Sequence, residues 1–345
     1  MARYRRPRQK APTSKDVAAL AGVAQSTVSQ VINGRSVLPD TKRRVEDAMR
    51  MLQYHPNAGA RTLRTARTSV IALLVELQER AEAIETVPYI NTIVEAARER
   101  DYDVILSTTG EGPDGLRRLI GRSICDAVVL MDIRLDDDRV PVASEMGRPA
   151  VLVGRPNEAR GVDVVDFDSR RAAELLVDEL VSTGHEQIVV LGEADNRSSE
   201  FRAMSEFYEG AMQRAKAAEI PLRIVTPQRE DWNSVHGLDS EIFLDNGRRL
   251  GLIGRTPRAT EHLLRLLIQG NREIGRSTSL VALCTDEVAS SFEVPVTNIS
   301  PEPQALARHA MELLFSRIDG EDSPGHLDLI EPTRVFRRES TAVFN

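Results

Sequence analysis

The chain has 345 residues, 41% of them hydrophobic and 28% charged, and its formal net charge at pH 7 is −7. This composition is typical of a globular protein with two or three domains, and it excludes fibrous and disordered chains. Two cysteines are too few for a disulfide framework or a cysteine-based metal site, which fits a reducing compartment. The longest apolar run, VIALLVEL, is far shorter than the roughly 20 residues of a membrane span. We therefore expect a cytoplasmic protein.

Residues 13–33, TSKDVAALAGVAQSTVSQVIN, predict two short helices joined by a glycine turn. Thr13 and Asp16 form a capping pattern at the start of the first helix. The apolar stripe of this helix is predicted to be Val17, Ala18, Leu20 and Ala21, and Gly22 then ends it. The second helix directs Val28, Val31 and Ile32 inward. Its opposite face carries hydrogen-bonding groups that reach base edges in a major groove: Gln25, Ser26, Ser29, Gln30 and Asn33.

A third amphipathic helix follows, with Val45, Ala48, Met49 and Leu52 at helical spacing, and we expect it to end at Pro56. Such three-helix bundles also occur without any DNA function. The charge distribution argues against that alternative, because residues 1–67 carry 14 Lys and Arg against 4 Asp and Glu, whereas the remaining 278 residues carry 31 against 48. A basic head on an acidic body is typical of a chain whose one end neutralises phosphates.

Beyond Ser69 short apolar strands alternate with amphipathic helices, which indicates parallel sheets built from right-handed crossovers. The strands are predicted at 70–75, 103–107, 127–131, 150–153, 187–191, 222–225, 250–253 and 279–283. The helices are predicted at about 89–100, 114–122, 170–182, 204–218 and 257–269. One sheet of this size would be too large, so we expect two. Ligands of such sheets bind outside the carboxyl ends of the strands.

Polar residues at or just past these strand ends are the candidate ligand-binding residues, namely Asp132, Arg155, Asp168, Trp232, Arg255 and Asp286. Carboxylates and guanidinium groups beside an indole suit a sugar or polyol, because hydroxyls need paired donors and acceptors while a pyranose face stacks on an aromatic ring. Each acid has a plain structural alternative as a helix cap or a surface charge. Tyr89, at the start of the helix predicted at about 89–100, is a further candidate for effector binding.

The runs DVAALAGVAQSTVSQVIN and PDTKRRVEDAMRMLQYHPNAGARTLRT closely resemble the LacI family of bacterial transcription regulators. The resemblance implies a helix-turn-helix head and an α/β effector domain of two parallel-sheet subdomains, similar to periplasmic sugar-binding proteins. It also implies that Gln25 and Ser26 read bases, while Thr27, Ser29 and Asn33 anchor phosphates or the recognition helix. Gln30 stands where the family usually has Arg, so the operator is expected to differ from the usual one.

Residues 57–65, NAGARTLRT, resemble the family's hinge segment. The resemblance places Leu63 as a minor-groove wedge and Ala60 where two hinge helices meet, with Arg61 and Arg64 as phosphate or groove contacts. The alternative is a plain linker between domains.

The resemblance also implies the domain limits. The head is 1–56, the hinge 57–68 and the effector domain 69–345. Within the effector domain, one subdomain is expected at about 69–166 and 298–328, and the other at about 167–297 and 329–345.

In the effector domain, the stretch around Trp232 resembles the family's Asp-Trp-Ser segment, and Arg202 resembles its effector-binding arginine. The family's Asn-Asp appears as Arg255-Thr256, and its Gly-Tyr/Phe-Asp-Asp appears as Leu-Cys-Thr-Asp-Glu, so the ligand is not inherited from the family. The stretches MDIRLDDDRV and VLVGR are most similar to a maltose-regulator branch. A sugar is therefore the first expectation for the effector, and a cyclitol or nucleoside is the alternative.

Two other classes of function compete with this interpretation. Residues 110–115 fit the Gly-x-Gly-x-x-Gly pattern of a dinucleotide-dependent sugar enzyme, but Pro113 removes an amide from the loop, and the preceding strand is the second of its sheet. No paired metal motif and no pattern of base and nucleophile is present, so we expect no cofactor, no metal and no catalysis. A carbohydrate-binding protein without DNA function would not need residues 1–67. The sequence therefore predicts a homodimeric repressor that binds a pseudo-palindromic DNA operator and is controlled allosterically by a small effector.

Overall fold

The computed structural model describes residues 12–32, 35–54, 67–76, 80–108, 112–194, 200–244 and 247–341. The chain divides into two compact units, Met1–Thr68 and Ser69–Asn345.

The first unit is a bundle of three helices, α1 (Ser14–Ala21), α2 (Gln25–Ile32) and α3 (Pro39–Leu52). Asp16 caps α1, because its carboxylate accepts hydrogen bonds from the amide and the hydroxyl of Thr13, both at 2.7 Å. Gly22 ends α1 with a φ of 65°, a left-handed conformation that glycine adopts without strain. The core consists of Val17, Ala18, Ala21, Val28, Val45 and Ala48.

Two expectations for this bundle are wrong in detail. Leu20 is 49% exposed rather than part of the core, because the narrow stripe of α1 is already filled by Val17, Ala18 and Ala21. The third helix ends at Leu52, four residues before Pro56, because Gln53 adopts a left-handed φ of 49° and caps it.

The second unit contains two parallel sheets. The six strands of the first sheet lie in the order β11-β5-β4-β3-β1-β2, and the five of the second lie in the order β10-β9-β8-β6-β7. The first-sheet strands are β1 (Val70–Val75), β2 (Asp103–Thr108), β3 (Ala127–Leu130), β4 (Ala150–Val153), β5 (Asp163–Phe167) and β11 (Leu327–Ile330). Those of the second sheet are β6 (Gln187–Leu191), β7 (Leu222–Val225), β8 (Leu250–Gly254), β9 (Thr278–Leu283) and β10 (Thr297–Ile299).

Helices connect these strands and cover the sheets. They are α4 (Arg80–Glu99), α5 (Gly112–Gly121), α6 (Arg139–Glu145), α7 (Ser169–Ser182), α8 (Arg202–Ala217), α9 (Trp232–His236), α10 (Asp239–Ile242), α11 (Pro257–Gln269), α12 (Asp286–Ser291) and α13 (Pro303–Ile318). One buried cluster extends from Ile71 and Leu73 of the first sheet to Ile188 and Val190 of the second, so the two sheets share a continuous core.

The predicted fold class is confirmed: the chain has a helical head and an α/β body of two parallel sheets. Eight predicted strands are present with shifts of at most one residue at either end, because strands buried on both faces are continuous apolar runs. The helix expected at 89–100 begins at Arg80 instead. Pro88 lies inside it, and proline is typical of a first turn, which explains the late predicted start.

The predicted subdomain limits cut through two strands. β10 belongs to the second sheet and β11 to the first, whereas the prediction placed boundaries at 298 and 328. We therefore propose limits that keep both strands whole, with about 300–330 in the first subdomain.

Candidate functional site

The polar face of α2 is accessible. Its predicted DNA-contacting residues are exposed (Gln25, Ser26 and Gln30) or half-buried (Thr27 and Ser29), while Val28 is fully buried on the other side. The side-chain amide of Gln25 also donates a hydrogen bond of 2.9 Å to the hydroxyl of Ser14, which fixes this side chain at the start of the helix. This face offers the donors and acceptors that base edges require.

The remaining predicted DNA contacts lie outside the described residues. They are Asn33, Ala60, Arg61, Leu63 and Arg64. Base reading and minor-groove insertion therefore stay predictions.

A cleft lies at the carboxyl ends of the two sheets in the second unit. Two adjoining cavities of about 310 and 260 Å³ occupy it. Asp132, which follows β3, and Arg255, which follows β8, line both cavities from opposite sheets. Tyr89 of α4 and Phe201 at the start of α8 add aromatic surface to both. The strand-end rule thus locates the cleft correctly.

Five of the eight predicted effector residues line this cleft: Tyr89, Asp132, Arg155, Arg202 and Arg255. They bring two kinds of group together, since guanidinium donors and carboxylate acceptors face the same space. The structure shows their proximity, and contact with an effector stays a prediction.

A buried ionic cluster forms one wall. The guanidinium of Arg155 donates to Glu206 at 2.5 Å, and its Nε lies 3.6 Å from Oδ2 of Asp166. Burial raises the pKa of Asp166 to about 6, although Arg155 opposes the shift. Arg202 donates to the side-chain oxygen of Asn157 at 2.7 Å.

Three polar atoms of this wall are buried without a hydrogen bond to any described residue. They are Nε of Arg155, Oδ2 of Asp166 and Nε of Arg202. Buried polar atoms are normally paired, and leaving them unpaired costs about 1–3 kcal/mol each. Two of the three atoms face each other, since Nε of Arg155 lies 3.6 Å from Oδ2 of Asp166 and forms an ion pair with it.

A second buried group holds Arg255. Its Nε donates to the carboxylate of Glu193, which also accepts a hydrogen bond from the hydroxyl of Tyr208. Burial would lower the pKa of Arg255, but the Glu193 carboxylate raises it above its usual value. Burial also raises the pKa of Tyr208, so its hydroxyl stays protonated and continues to donate. Arg255 is therefore a fixed cation at the cleft.

A hydrogen-bonded contact also crosses the cleft between α4 and the second sheet. Glu85 of α4 accepts from the amide and the hydroxyl of Thr285 at 3.1 and 3.3 Å, and Thr285 follows β9 of the other sheet. Burial raises the pKa of Glu85 despite these two bonds.

Trp232 does not share the predicted cleft with Arg155 and Asp132, since it lines neither cavity. Its indole packs on α11, with the guanidinium of Arg265 4.0 Å from the ring centroid and His262 at 6.0 Å. Trp232 follows β7 by several residues and begins α9, so the strand-end rule does not fix its position.

Asp168 and Asp286 also lie outside the two cavities. Asp168 caps α7 by accepting a hydrogen bond of 2.9 Å from the amide of Arg171, which is the plain structural alternative foreseen for an acid at this position. Asp286 accepts from Asn298 at 3.0 Å and from Arg338 at 3.2 Å, and it lines a separate cavity of about 490 Å³.

Sequence reasoning missed several cleft residues. Glu85 and Thr86 lie one helical turn before Tyr89, so helical spacing from Tyr89 would have identified them. Asp166 lies inside β5, two residues before the predicted Asp168, and its strand was not recognised because acids interrupt the apolar run. Glu193 and Glu206 reach the arginines only through the tertiary fold, and no local pattern marks them.

Trp232→Ala should leave effector binding unchanged and lower the free energy of unfolding by about 2 kcal/mol, because a half-buried indole on α11 is lost. Ligand-induced thermal shifts, compared with those of the wild-type protein, measure the first effect, and urea unfolding measures the second. Loss of the ligand-induced shift would return Trp232 to the effector site.

No group of three or more His, Cys, Asp or Glu side chains suited to a metal ion occurs among the described residues. Of the helices that the structure describes, none combines the length and apolarity needed to cross a bilayer.

Family models match both units. The model described as bacterial regulatory proteins of the lacI family matches residues 13–57, and that of the periplasmic binding proteins and sugar binding domain of the LacI family matches residues 85–233. The periplasmic binding protein-like domain model matches residues 177–341. The chain therefore has a lacI-family helix-turn-helix domain followed by a periplasmic-binding-protein-like domain, and its relatives are LacI-family regulators.

Similar proteins agree with this assignment over nearly the whole length. The chain is 29% identical to the HTH-type transcriptional regulator CelR of Thermobifida fusca, over 96% of this chain and 99% of the relative. It is 26% identical to the HTH-type transcriptional regulator RegA of Clostridium saccharobutylicum, over 95% and 97%.

Solved structures show the same architecture. A structure described as a transcriptional regulator CelR-cellobiose complex superposes with a TM-score of 0.68 and 26% identity, covering 95% of this chain and 99% of that one. The Lac repressor dimer bound to operator superposes with a TM-score of 0.77 at 20% identity, covering 96% and 100%, and this likeness bears on the fold alone.

Proposed function

We propose that this chain is a sequence-specific transcription repressor controlled by a sugar or polyol that binds in the cleft between the two sheets. The observation that carries the proposal is that guanidinium and carboxylate side chains line the cleft together, namely Asp132, Arg155, Arg202 and Arg255. Hydroxyl groups both donate and accept, so one polyol can satisfy guanidinium and carboxylate atoms together. The CelR-cellobiose structure supports a sugar.

A ligand screen by thermal unfolding tests the effector class. A ligand present at 100 times its dissociation constant adds about 2.7 kcal/mol of stability. We expect a sugar or polyol to raise the melting temperature and to lose this effect in Arg202→Met, while a cyclitol or a nucleoside is the alternative outcome. A screen in which no sugar, polyol, cyclitol or nucleoside shifts the wild-type protein would contradict the effector proposal.

Base reading belongs to α2, whose exposed side chains include Gln25 and Ser26. Ser26→Ala and Gln25→Ala should each reduce discrimination between the operator and a variant at the contacted base pair by about 1–3 kcal/mol, while binding to scrambled DNA changes little. Fluorescence titrations at fixed salt measure both. Lys15→Ala in α1 serves as a comparison, since it removes an exposed positive charge outside α2 and should weaken binding to all sequences alike. Equal losses on operator and scrambled duplex would remove these residues from the reading face.

We propose a homodimer that places one head on each half of a pseudo-palindromic operator. Apolar side chains on β2, the outer strand of the first sheet, support this, because Ile105 is 38% and Leu106 44% exposed in the single chain. An exposed apolar edge strand of this kind is a surface on which a second copy of the chain can pack.

Leu106→Glu should therefore weaken dimerisation by about 2 kcal/mol or more, because a charge enters an apolar contact. Analytical ultracentrifugation of the full chain measures the dissociation constant. Met212→Glu on α8 is the matched control, since Met212 is also apolar and 54% exposed. A dimer that tolerates Leu106→Glu as well as Met212→Glu would exclude β2 from the interface.

We further propose that the cleft binds its effector without catalysis and without a cofactor. The curated relatives CelR and RegA are transcription regulators rather than enzymes, which supports a binding role. Because its target is chromosomal DNA, we propose that the protein acts in the bacterial cytoplasm.

A further inference from the structure

A buried ion pair lies beneath the loop that carries Asp132. The side chains of Arg139 and Asp137 are 6% and 5% exposed. Nε and one terminal nitrogen of Arg139 donate to the two carboxylate oxygens of Asp137 at 2.9 and 2.7 Å. Desolvation of two charges offsets most of their attraction, so such a pair is weak evidence of net stability. The role of this pair therefore lies in the backbone groups that its two side chains hold in place.

The pair fastens both ends of the loop between β3 and α6. The same guanidinium donates to the backbone carbonyls of Met131 and Asp132 at 3.0 and 2.8 Å. The Asp137 carboxylate also accepts from the backbone amides of Arg134 and Arg139 at 3.2 and 2.9 Å. Two side chains thus bind backbone groups along the whole loop.

Asp132 has an unusual backbone conformation at this loop. Its φ is 53°, in the left-handed region, which residues with a Cβ adopt uncommonly and Asp more readily than most. The bond from Arg139 to the Asp132 carbonyl constrains the backbone there. In this conformation the Asp132 carboxylate lines both cavities and accepts a hydrogen bond of 2.6 Å from the amide of Glu76.

The loop also contacts the segment that begins α8. The amide of Leu135 donates to the carbonyl of Glu200 at 2.8 Å, and the Arg134 guanidinium lies 3.4 Å from the Glu200 carboxylate. Phe201 and Arg202, the next residues, line the cleft. A displacement of the loop would therefore change both walls of the cleft.

We propose that Asp137 and Arg139 are positioning residues, which hold Asp132 in the conformation that lines the cleft and tie its loop to the Glu200 segment. The inference rests on the proposed function only in naming the cleft as the effector site. Neither side chain lines the cavities, so both act through the loop.

Residue-resolved amide hydrogen exchange on the full chain tests the positioning without any ligand. In Arg139→Lys and Asp137→Asn, exchange of the Glu76 amide should accelerate about tenfold or more relative to the Ser69 amide, because its acceptor Asp132 is released. Ser69 donates to Asp126 at 2.8 Å at the other end of β1, so it reports stability of the same strand. Asp137→Asn preserves shape and carries the test where Arg139→Lys fails to fold.

The matched control is Arg317→Lys. Arg317 forms a similar two-point pair with Asp163, at 2.7 and 2.8 Å, at the start of β5 and therefore at the amino end of the sheet. This variant should leave the ratio of Glu76 to Ser69 exchange unchanged. Equal acceleration of both amides in Arg139→Lys and Asp137→Asn would show a general structural role and overturn the proposal.

Calorimetric titration with cellobiose supplies a second readout. Binding should weaken about tenfold or more in Asp137→Asn and remain unchanged in Arg317→Lys, since only the former releases Asp132. Equal affinities in the wild-type protein and Asp137→Asn would overturn the role at the cleft. If the wild-type protein does not bind cellobiose, cellobiose is excluded as effector, and the amide measurement still decides the positioning.

Discussion

Arg155→Met is expected to lower the free energy of unfolding by about 3 kcal/mol and to abolish effector binding. Arg155 lies between two carboxylates, 2.5 Å from Glu206 and within 3.6 Å of Asp166. The side chains of Arg155 and Glu206 are 20% and 18% exposed, and that of Asp166 is 8% exposed. Removal of the cation leaves two largely buried acids without compensation, and breaking a fully buried pair costs about 3–5 kcal/mol. Because the side chains of Arg155 and Glu206 are partly exposed, we expect a loss at the lower end of this range.

Urea unfolding and a ligand titration measure the two effects. Arg171→Met is the matched control, because Arg171 pairs with Glu174 at 3.0 Å with a side chain that is 48% exposed. Such a surface pair contributes about 0.2–1 kcal/mol. A loss in Arg155→Met no larger than that in Arg171→Met would contradict the description of this wall as a buried ionic cluster.

Asp166→Asn is expected to gain stability relative to the wild-type protein as pH rises from 4 to 6. Burial raises the pKa of Asp166 from 3.8 to about 6, so the folded state retains a proton that the unfolded state has lost. A group of this kind contributes stability below its unfolded pKa, and that contribution disappears as pH increases through its folded pKa. At about 1.4 kcal/mol per unit of pKa, the relative gain of the Asn variant reaches roughly 3 kcal/mol.

Chemical unfolding of both proteins at several pH values between 4 and 7 measures this difference. Titrating groups that are not coupled to Asp166, such as Glu85, are common to both proteins and cancel in the comparison. Asp168→Asn is the control, since Asp168 caps α7 near the same strand end outside the cavities. A stability difference independent of pH would show that Asp166 titrates alike in the folded and unfolded protein, so that burial does not raise its pKa.

The sheets were predictable because their strands are apolar on both faces, as in VIALLV of β1 and AVLV of β4. The same reasoning failed for β5, DVVDF, because Asp163 binds Arg317 and Asp166 faces the cleft. Functional and structural acids inside a strand remove the pattern by which that strand is recognised.

The cleft was predictable from part of the strand ends. Asp132, Arg155 and Arg255 lie within two residues of a strand end and line the cavities. Asp168 directly follows β5 but caps α7 instead. Trp232 lies several residues beyond β7, in a connection whose path depends on packing against α11, so its position could not be predicted from the strand. The buried partners Glu193, Tyr208 and Glu206 come from distant segments and become neighbours only in the tertiary structure.

The central claim, a DNA-binding repressor controlled through the cleft, is tested most directly by one titration of the full chain. A duplex selected from a random pool is titrated at fixed salt, with and without a sugar identified by thermal shift, using the wild-type protein and Arg202→Met. We expect binding to the selected duplex about 1,000-fold or more tighter than to a scrambled one. The sugar should change this affinity about fivefold or more in the wild-type protein and not in Arg202→Met. Equal affinity for both duplexes, or the same response to sugar in both proteins, would contradict the claim.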